Sequence, residues 1–307
     1  MLELLPPMPL WCAGMLQQIF TVIAPVLLIA LLGYVWERRR LPFDAQMMSL
    51  LCSYVGGPCL MLHTLLNSKA DLSAAPRIVA AAAAMIAIMG LVGWVIVRAL
   101  KLPVQVYLPA LMFPNSGNMG LPLCLFAFGE SGLALGVTFF ATMAGLQFSV
   151  GISIASGGVS VRSLVTNPMV VAVALAGVLV AADVTPPLWI ANVLEVLGNT
   201  LIPLMLMSLG ASLAKLQVVG FGRSLGFSAL RLAGGFVIAV ALTQALGLEG
   251  AARGSVIIQS SMPVAVFSYL FALRYDNQPE EVAAMVFVST ILSFLTLPLL
   301  MGFVLSP

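Results

Sequence analysis

Charge is what this sequence has least of. Only 8% of its 307 residues are Asp, Glu, Lys or Arg, against 61% hydrophobic, and mean hydropathy is +1.12. Soluble domains carry roughly 25% charged residues. A soluble fold cannot hide this much apolar surface, so the bilayer must be the solvent. Lipid offers no partner to backbone N–H and C=O groups, which leaves helices or closed barrels. The apolar runs lack the period-two alternation of barrel strands, so the fold class is all-α and integral to the membrane. No long hydrophilic stretch exists, which leaves no room for a soluble domain. A net charge of +2 gives no reason to expect a nucleic-acid or acidic partner.

Reactive side chains are equally scarce. Cys12, Cys52, Cys59 and Cys124 show neither CxxC nor metal-ligand spacing, so they read as small apolar packing groups. No metal or cofactor is expected. The metalloprotease HExxH and serine-hydrolase GxSxG strings are absent, as is a pair of membrane aspartates. Glu280-Glu281 opens a string like the membrane-protease EExxxR, but Met285 stands in the arginine place. An enzyme is not expected. The first fourteen residues hold Glu3 and no basic residue, unlike a cleaved signal peptide. Residues 1–15 read as a short disordered or interfacial leader, with Met8 and Met15 as alternative starts to Met1.

What is present is a series of apolar segments near 16–36, 46–66, 74–100, 104–128, 131–155, 164–182, 188–213, 224–247, 252–273 and 282–305. Each is long enough to span the hydrocarbon core. Short polar turns separate them, among them Glu37 to Arg40, Asn67-Ser68-Lys69, Gly129-Glu130 and Asp183 to Pro187. With the N-terminus outside, the inner loops hold Arg38, Arg39, Arg40, Arg98, Lys101, Arg162, Lys215, Arg223 and Arg274, and the outer loops only Lys69, Arg77 and Arg253. That bias obeys the positive-inside rule and supports ten spans in the plasma membrane (a bacterial inner membrane), both termini outside.

Ten spans divide into two fives, and an odd number forces the second copy to be inverted, the plan of many secondary transporters. The halves are expected at 16–156 and 167–307, joined by a short cytoplasmic linker at 157–166. Pro58 to His63 in the second span is echoed by Pro203 to Ser208 in the seventh, and the fourth and ninth spans each carry a proline among polar residues. Pro114 is followed by Asn115, Ser116, Gly117, Asn118, Gly120 and Pro122; Pro263 is preceded by Gln259, Ser260 and Ser261. Proline removes an N–H and clashes with the carbonyl four residues back, freeing those of Ala110 and Gln259. Unwound backbone at this depth survives only inside protein or beside a water-filled cavity. Half-helix N-termini meeting there favour a carboxylate without a buried Arg or Lys. Asn115, Asn118, Gln259, Ser260 and Ser261 add neutral donors, and Gln147 and Thr142 of the fifth span are candidates to face the same point. A plain kink glued by amides is the alternative for one such span; breaks in corresponding spans of both halves favour a transport site.

Three further groups stand out. Arg231 lies about seven residues inside the eighth span and Glu195 about seven inside the seventh; charges at that depth default to function. They are placed either to pair or to snorkel to their own interfaces. His63 is a candidate proton site or a hydrogen-bonded packing residue. No acid lies near either break, so uncoupled export of an anion down an inside-negative potential is the simplest energetics.

Pro114-Asn115-x-x-x-Met119-Gly120-x-Pro122 resembles the fourth-span motif of the auxin efflux carrier family. Arg231-Leu232, Ile258-Gln259, Pro263, Phe271-Ala272, Tyr275 and Pro279 resemble its C-terminal pattern, and Pro58 with His63 its second span. The resemblance implies two inverted repeats of five helices, a scaffold domain, and a transport domain with crossed fourth and ninth helices. It further implies elevator-like movement as in the bile-acid-symporter fold, organic-anion cargo such as malate, malonate or auxin-like acids, and a homodimer. The long hydrophilic loop of many plant members is absent, and Met61 stands where a carboxylate-linked serine is expected, which points away from auxin itself. The alternatives are a sodium- or proton-coupled organic-anion symporter, or a channel or sensor on this fold.

Overall fold

The computed structural model describes residues 10–67, 72–158, 166, 168–182, 184–215 and 220–306. Among them the chain is helical, and the only β-type contact is one isolated bridge. In order the helices are α1 (Leu10–Arg38), α2 (Ala45–Leu51), α3 (Gly57–Asn67), α4 (Ala75–Ala99), α5 (Val104–Met112), α6 (Leu121–Leu146), α7 (Ile152–Ser156), α8 (Pro168–Ala181), α9 (Leu188–Asn199), α10 (Leu201–Lys215), α11 (Phe221–Ala245), α12 (Gly250–Ser260), α13 (Val266–Arg274) and α14 (Pro279–Leu305). Wider π-type turns at Cys52–Gly56, Ser116–Gly120 and Gln147–Gly151 join α2 to α3, open α6, and join α6 to α7.

Six of these described stretches are long and apolar enough to cross a membrane: Ile19–Arg38, Ala75–Ala99, Ser116–Ser156, Leu188–Lys215, Phe221–Ala245 and Pro279–Leu305. Tyr54–Leu66 and Pro168–Leu179 are shorter apolar helices. Large apolar side chains such as Leu188, Leu299, Phe20 and Leu295 are more than two-thirds exposed, with values of 77%, 77%, 72% and 71%. A soluble surface would not tolerate so many, whereas acyl chains solvate them. The protein is a multi-pass, α-helical membrane protein.

Local chemistry explains the boundaries. Pro76 and Pro279 sit in the first turns of α4 and α14, where an N–H is unpaired anyway. Glu280 and Glu281 complement the N-terminal dipole of α14. Several expectations are refined. The fourth and ninth apolar segments are interrupted where Pro114 and Pro263 lead one to expect it, between Met112 and Ser116 and between Ser260 and Val266. Ser116–Ser156 runs on as one helical stretch, but Gly129 breaks it at φ 64°, at the expected turn; only glycine adopts that conformation without strain. Residues 10–15 of the expected leader belong to α1. Lys69, Arg162, Asp183, residues 1–9 and most of the linker lie outside the described residues.

Packing sorts the helices into two groups. In one, α1 lies along α10, α3 packs on α8 and α9, and α2 touches α10. The α1–α10 contact is backbone on backbone: a Cβ at Gly33 would collide with the Met207 carbonyl oxygen, and one at Gly210 with that of Ala30. In the other group α4 packs on α5, α6 and α11, α6 on α12, and α14 on α11 and α13. One end of this second group is tied by Tyr107 of α5, whose hydroxyl donates to Glu281 at 3.1 Å and accepts from Arg223 at 2.9 Å. Its ring stacks on Phe227 with centroids 4.9 Å apart. The groups meet more sparingly, through α1 with α6 and α14, α3 and α8 with α6, and α10 with the Ser116–Gly120 turn.

Candidate functional site

The two broken segments cross in the interior of the second group. Helix α5 ends at Met112, and Phe113 turns extended at φ −103°, ψ 113°. Helix α12 ends at Ser260, and Ala265 is extended at φ −63°, ψ 135°. Between these points the strands run antiparallel, with Pro114 opposite Val264. The Asn115 N–H donates to the Pro263 carbonyl at 2.7 Å, and the Ala265 N–H donates to the Phe113 carbonyl at 3.1 Å. The Val264 N–H donates to the Ser289 hydroxyl of α14 at 3.1 Å. Each unwound segment thus pairs backbone groups of the other. That meets the requirement for irregular backbone at membrane depth, and it explains why two prolines sit here: neither ladder position needs their missing N–H.

The crossing brings the ends of four half-helices together. The Ser116–Gly120 turn and α13 both start from it, so two helix N-termini with unpaired N–H groups face this region. Asn115, Ser116, Gln259, Ser260 and Ser261 are all buried. The Asn115 Nδ2, the Gln259 Oε1 and the Ser260 and Ser261 hydroxyls have no hydrogen-bond partner within the protein. Buried polar groups are nearly always paired, so four orphans around one crossing mark a place built to meet something else. Gln259 is held at its other end: its Nε2 donates to the Gly136 carbonyl at 3.2 Å, and a Cβ at Gly120 would collide with its Oε1.

The other predicted residues fall as follows. Asn118 is half-buried on the Ser116–Gly120 turn, the part of the crossing that touches α10 of the first group. Gly117 lies against Met205 and Phe140. Pro122 occupies the first turn of α6. Gln147 is buried with its Nε2 unpaired, on a turn whose Gly151 packs against the Phe113 ring. Thr142 bonds back to the Thr138 carbonyl of its own helix at 3.1 Å. His63 is half-buried on α3, in the first group.

Arg231 departs from expectation. It does not snorkel: it is 0% exposed, and its Nη2 donates to the Ser260 carbonyl at 2.5 Å. Glu195 is exposed on α9 and makes no ion pair with it. A buried cation therefore stands behind the crossing, where the sequence points to helix ends and amides alone. Gly136, Gly235 and Ser289 also serve the crossing and escape a reading of the sequence, because a lone small residue in an apolar helix carries no signal of what it touches.

A cavity of about 800 Å³ opens elsewhere, lined by Gln17 and Val22 of α1, Phe126 and Phe128 of α6, the start of α12 and the end of α14. Its walls come from both groups and include Gln17 and Arg253, but none of the crossing residues. The orphaned polar groups, not this volume, mark the candidate site.

A family model described as membrane transport protein matches the chain in two stretches, residues 18–157 and 152–301. An uncharacterized transporter of Methanocaldococcus jannaschii is 28% identical over 200 residues, 61% of this chain and 64% of its own length. An uncharacterized transporter of Methanothermobacter thermautotrophicus is 30% identical over 192 residues, 60% of this chain and 63% of its own length. The match spans less than two thirds of either relative.

Proposed function

Given that this chain belongs to the membrane transport protein family, the auxin efflux carriers, we propose that it exports small organic anions, carboxylates of the malate or malonate type, as a secondary carrier. It is a transporter and not an enzyme. In this reading the ten apolar segments form two inverted repeats of five. The second group of helices carries the substrate at the crossing and slides against the first by elevator-type alternating access, driven by membrane potential.

The observation that carries this reading is the reciprocal backbone pairing of Phe113–Asn115 with Pro263–Ala265. It directs two half-helix N-termini and several unpaired buried donors at one point, an arrangement that suits an anion. Sparse contact between the groups supports sliding. Symmetry supports the repeat: α1 on α10 and α8 on α3 pair the first span of each half with the second span of the other. The family model matches in two stretches that overlap at residues 152–157, close to the expected linker, which is compatible with a repeat.

The test is electrogenic current in proteoliposomes against a panel of mono- and dicarboxylates. A saturable current with counterflow is expected. No current and no thermal protection by any carboxylate would sink the anion-carrier reading. Dependence on a sodium or proton gradient would return the coupled symporter, and unitary currents too large for alternating access would return the channel.

A further inference from the structure

Ser260 is the last residue of a half-helix that stops in mid-protein, so its carbonyl lacks an intrahelical partner and lies at the negative end of that helix. In carriers built on discontinuous helices, such half-helix C-termini and unwound carbonyls are where coupling cations are coordinated. Here the position is filled from within the chain. The Arg231 guanidinium reaches from α11 to the Ser260 carbonyl. One turn further along α11, Gly235 lets the backbone close down on the same carbonyl: a Cβ there would collide with the Ser260 oxygen and stand 3.1 Å from the Arg231 Nη1. The guanidinium and the α11 backbone thus both lie against that carbonyl. Among the described residues no Asp or Glu is buried, so no acid competes for the guanidinium or supplies the charge that a bound cation would want. The Arg231 Nε and Nη1 have no partner, and neither do the hydroxyls of Ser255, Ser260 and Ser261 on the segment it contacts.

We propose that Arg231 is a resident cation of the crossing: it holds the place that a coupling ion would take at the end of α12, so that anion transport proceeds without co-transported sodium or protons. Arginine suits the task because it stays charged in proteins. Its positive field, added to the two half-helix N-termini, favours a carboxylate at the crossing. This deepens the carrier reading and rests on it for the transport consequence, but not for the structural one.

The experiment has two arms. In the first, the full-length protein in detergent is melted in sodium chloride and in N-methylglucamine chloride of equal ionic strength. The wild type melts identically in both; Arg231→Ala melts lower, and guanidinium at sub-denaturing concentration or sodium raises it towards wild type. In the second arm, carboxylate flux is measured in vesicles under the same two salts. Wild-type flux is unchanged by removing sodium or collapsing the proton gradient. Arg231→Met, which fills the volume without the charge, loses roughly tenfold or more, the worth of one charge-assisted hydrogen bond, while Arg231→Lys recovers the larger part. A sodium-dependent wild type in either arm, an Arg231→Ala protein that neither cation restores, or Arg231→Met flux equal to wild type overturns the proposal. If Arg231→Ala does not fold, the Met and Lys variants decide. If no carboxylate is transported at all, the carrier reading fails, and the melting arm still reads Arg231 alone.

Discussion

At the scale of single residues, the crossing is set by a few side chains whose other ends are tied. Gln259 illustrates this. Its amide nitrogen is anchored on the Gly136 carbonyl, its oxygen is free, and Gly120 leaves the space that it occupies. Gln259→Ala and Asn115→Ala are expected to abolish carboxylate flux while leaving the folded yield nearly intact, because each removes a group with a free polar end. A large loss of yield in size-exclusion profiles would return both to structural glue. Gly120→Ala is expected to act differently. The methyl group meets the Gln259 amide and overpacks the core, at a cost of about 1–3 kcal/mol, read as a lowered melting point together with lost flux. Pro114, Asn115, Gln259 and Pro263 are legible in the sequence because proline and amides are conspicuous in an apolar span. Arg231 is legible as a charge but not as a ligand. Its depth follows from counting residues, whereas its partner depends on α11 and α12 packing side by side.

At the scale of elements, the broken segments are held as a unit by backbone pairing and by side chains, among them Ser268, which donates to the Pro109 carbonyl at 3.4 Å, and Ser289. Ser289 of α14 accepts from the Val264 N–H, in the middle of the crossing. Ser289→Ala leaves that buried donor unpaired, which costs about 1–3 kcal/mol. Thermal unfolding is expected to show the loss, whereas Ser306→Ala, at the exposed end of α14, leaves the midpoint unchanged. A Ser289→Ala midpoint equal to wild type would mean that Val264 is satisfied otherwise. Helix contacts in the first group depend on shape instead. Gly210 and Gly33 lie against the carbonyls of Ala30 and Met207, so Gly210→Leu is expected to lose folded protein. Gly226 in α11 faces open space, with nothing within 4 Å of the place a Cβ would take, and Gly226→Ala is expected to be neutral or to stabilise by up to ~1 kcal/mol. Hydropathy locates the elements well, since a span needs only length and apolarity. Hydropathy alone averages over the breaks in the fourth and ninth, which only Pro114 and Pro263 with their polar neighbours reveal, and it assigns no partner to any glycine.

At the scale of the whole molecule, the charge inside the second group decides where voltage acts. Among the described residues Arg231 is the only buried ionisable group outside the cysteines and Tyr107, and no acid balances it. If the second group moves as a body, it carries one positive charge with it. A bound monocarboxylate then cancels that charge and the loaded step is nearly electroneutral, whereas a dicarboxylate leaves one negative charge. The empty group must return with its positive charge exposed to the field, and an inside-negative potential draws it inward by about 2.3 kcal/mol per 100 mV for a full crossing. On this proposal, the potential drives export by resetting the empty carrier rather than by pushing the loaded one. The expected signature is a transient charge movement in protein-containing membranes on a voltage step without any carboxylate, suppressed by a saturating monocarboxylate and lost in Arg231→Met. A wild type that is silent when empty and moves charge only when loaded would show instead that the substrate carries the charge and that Arg231 does not travel across the field.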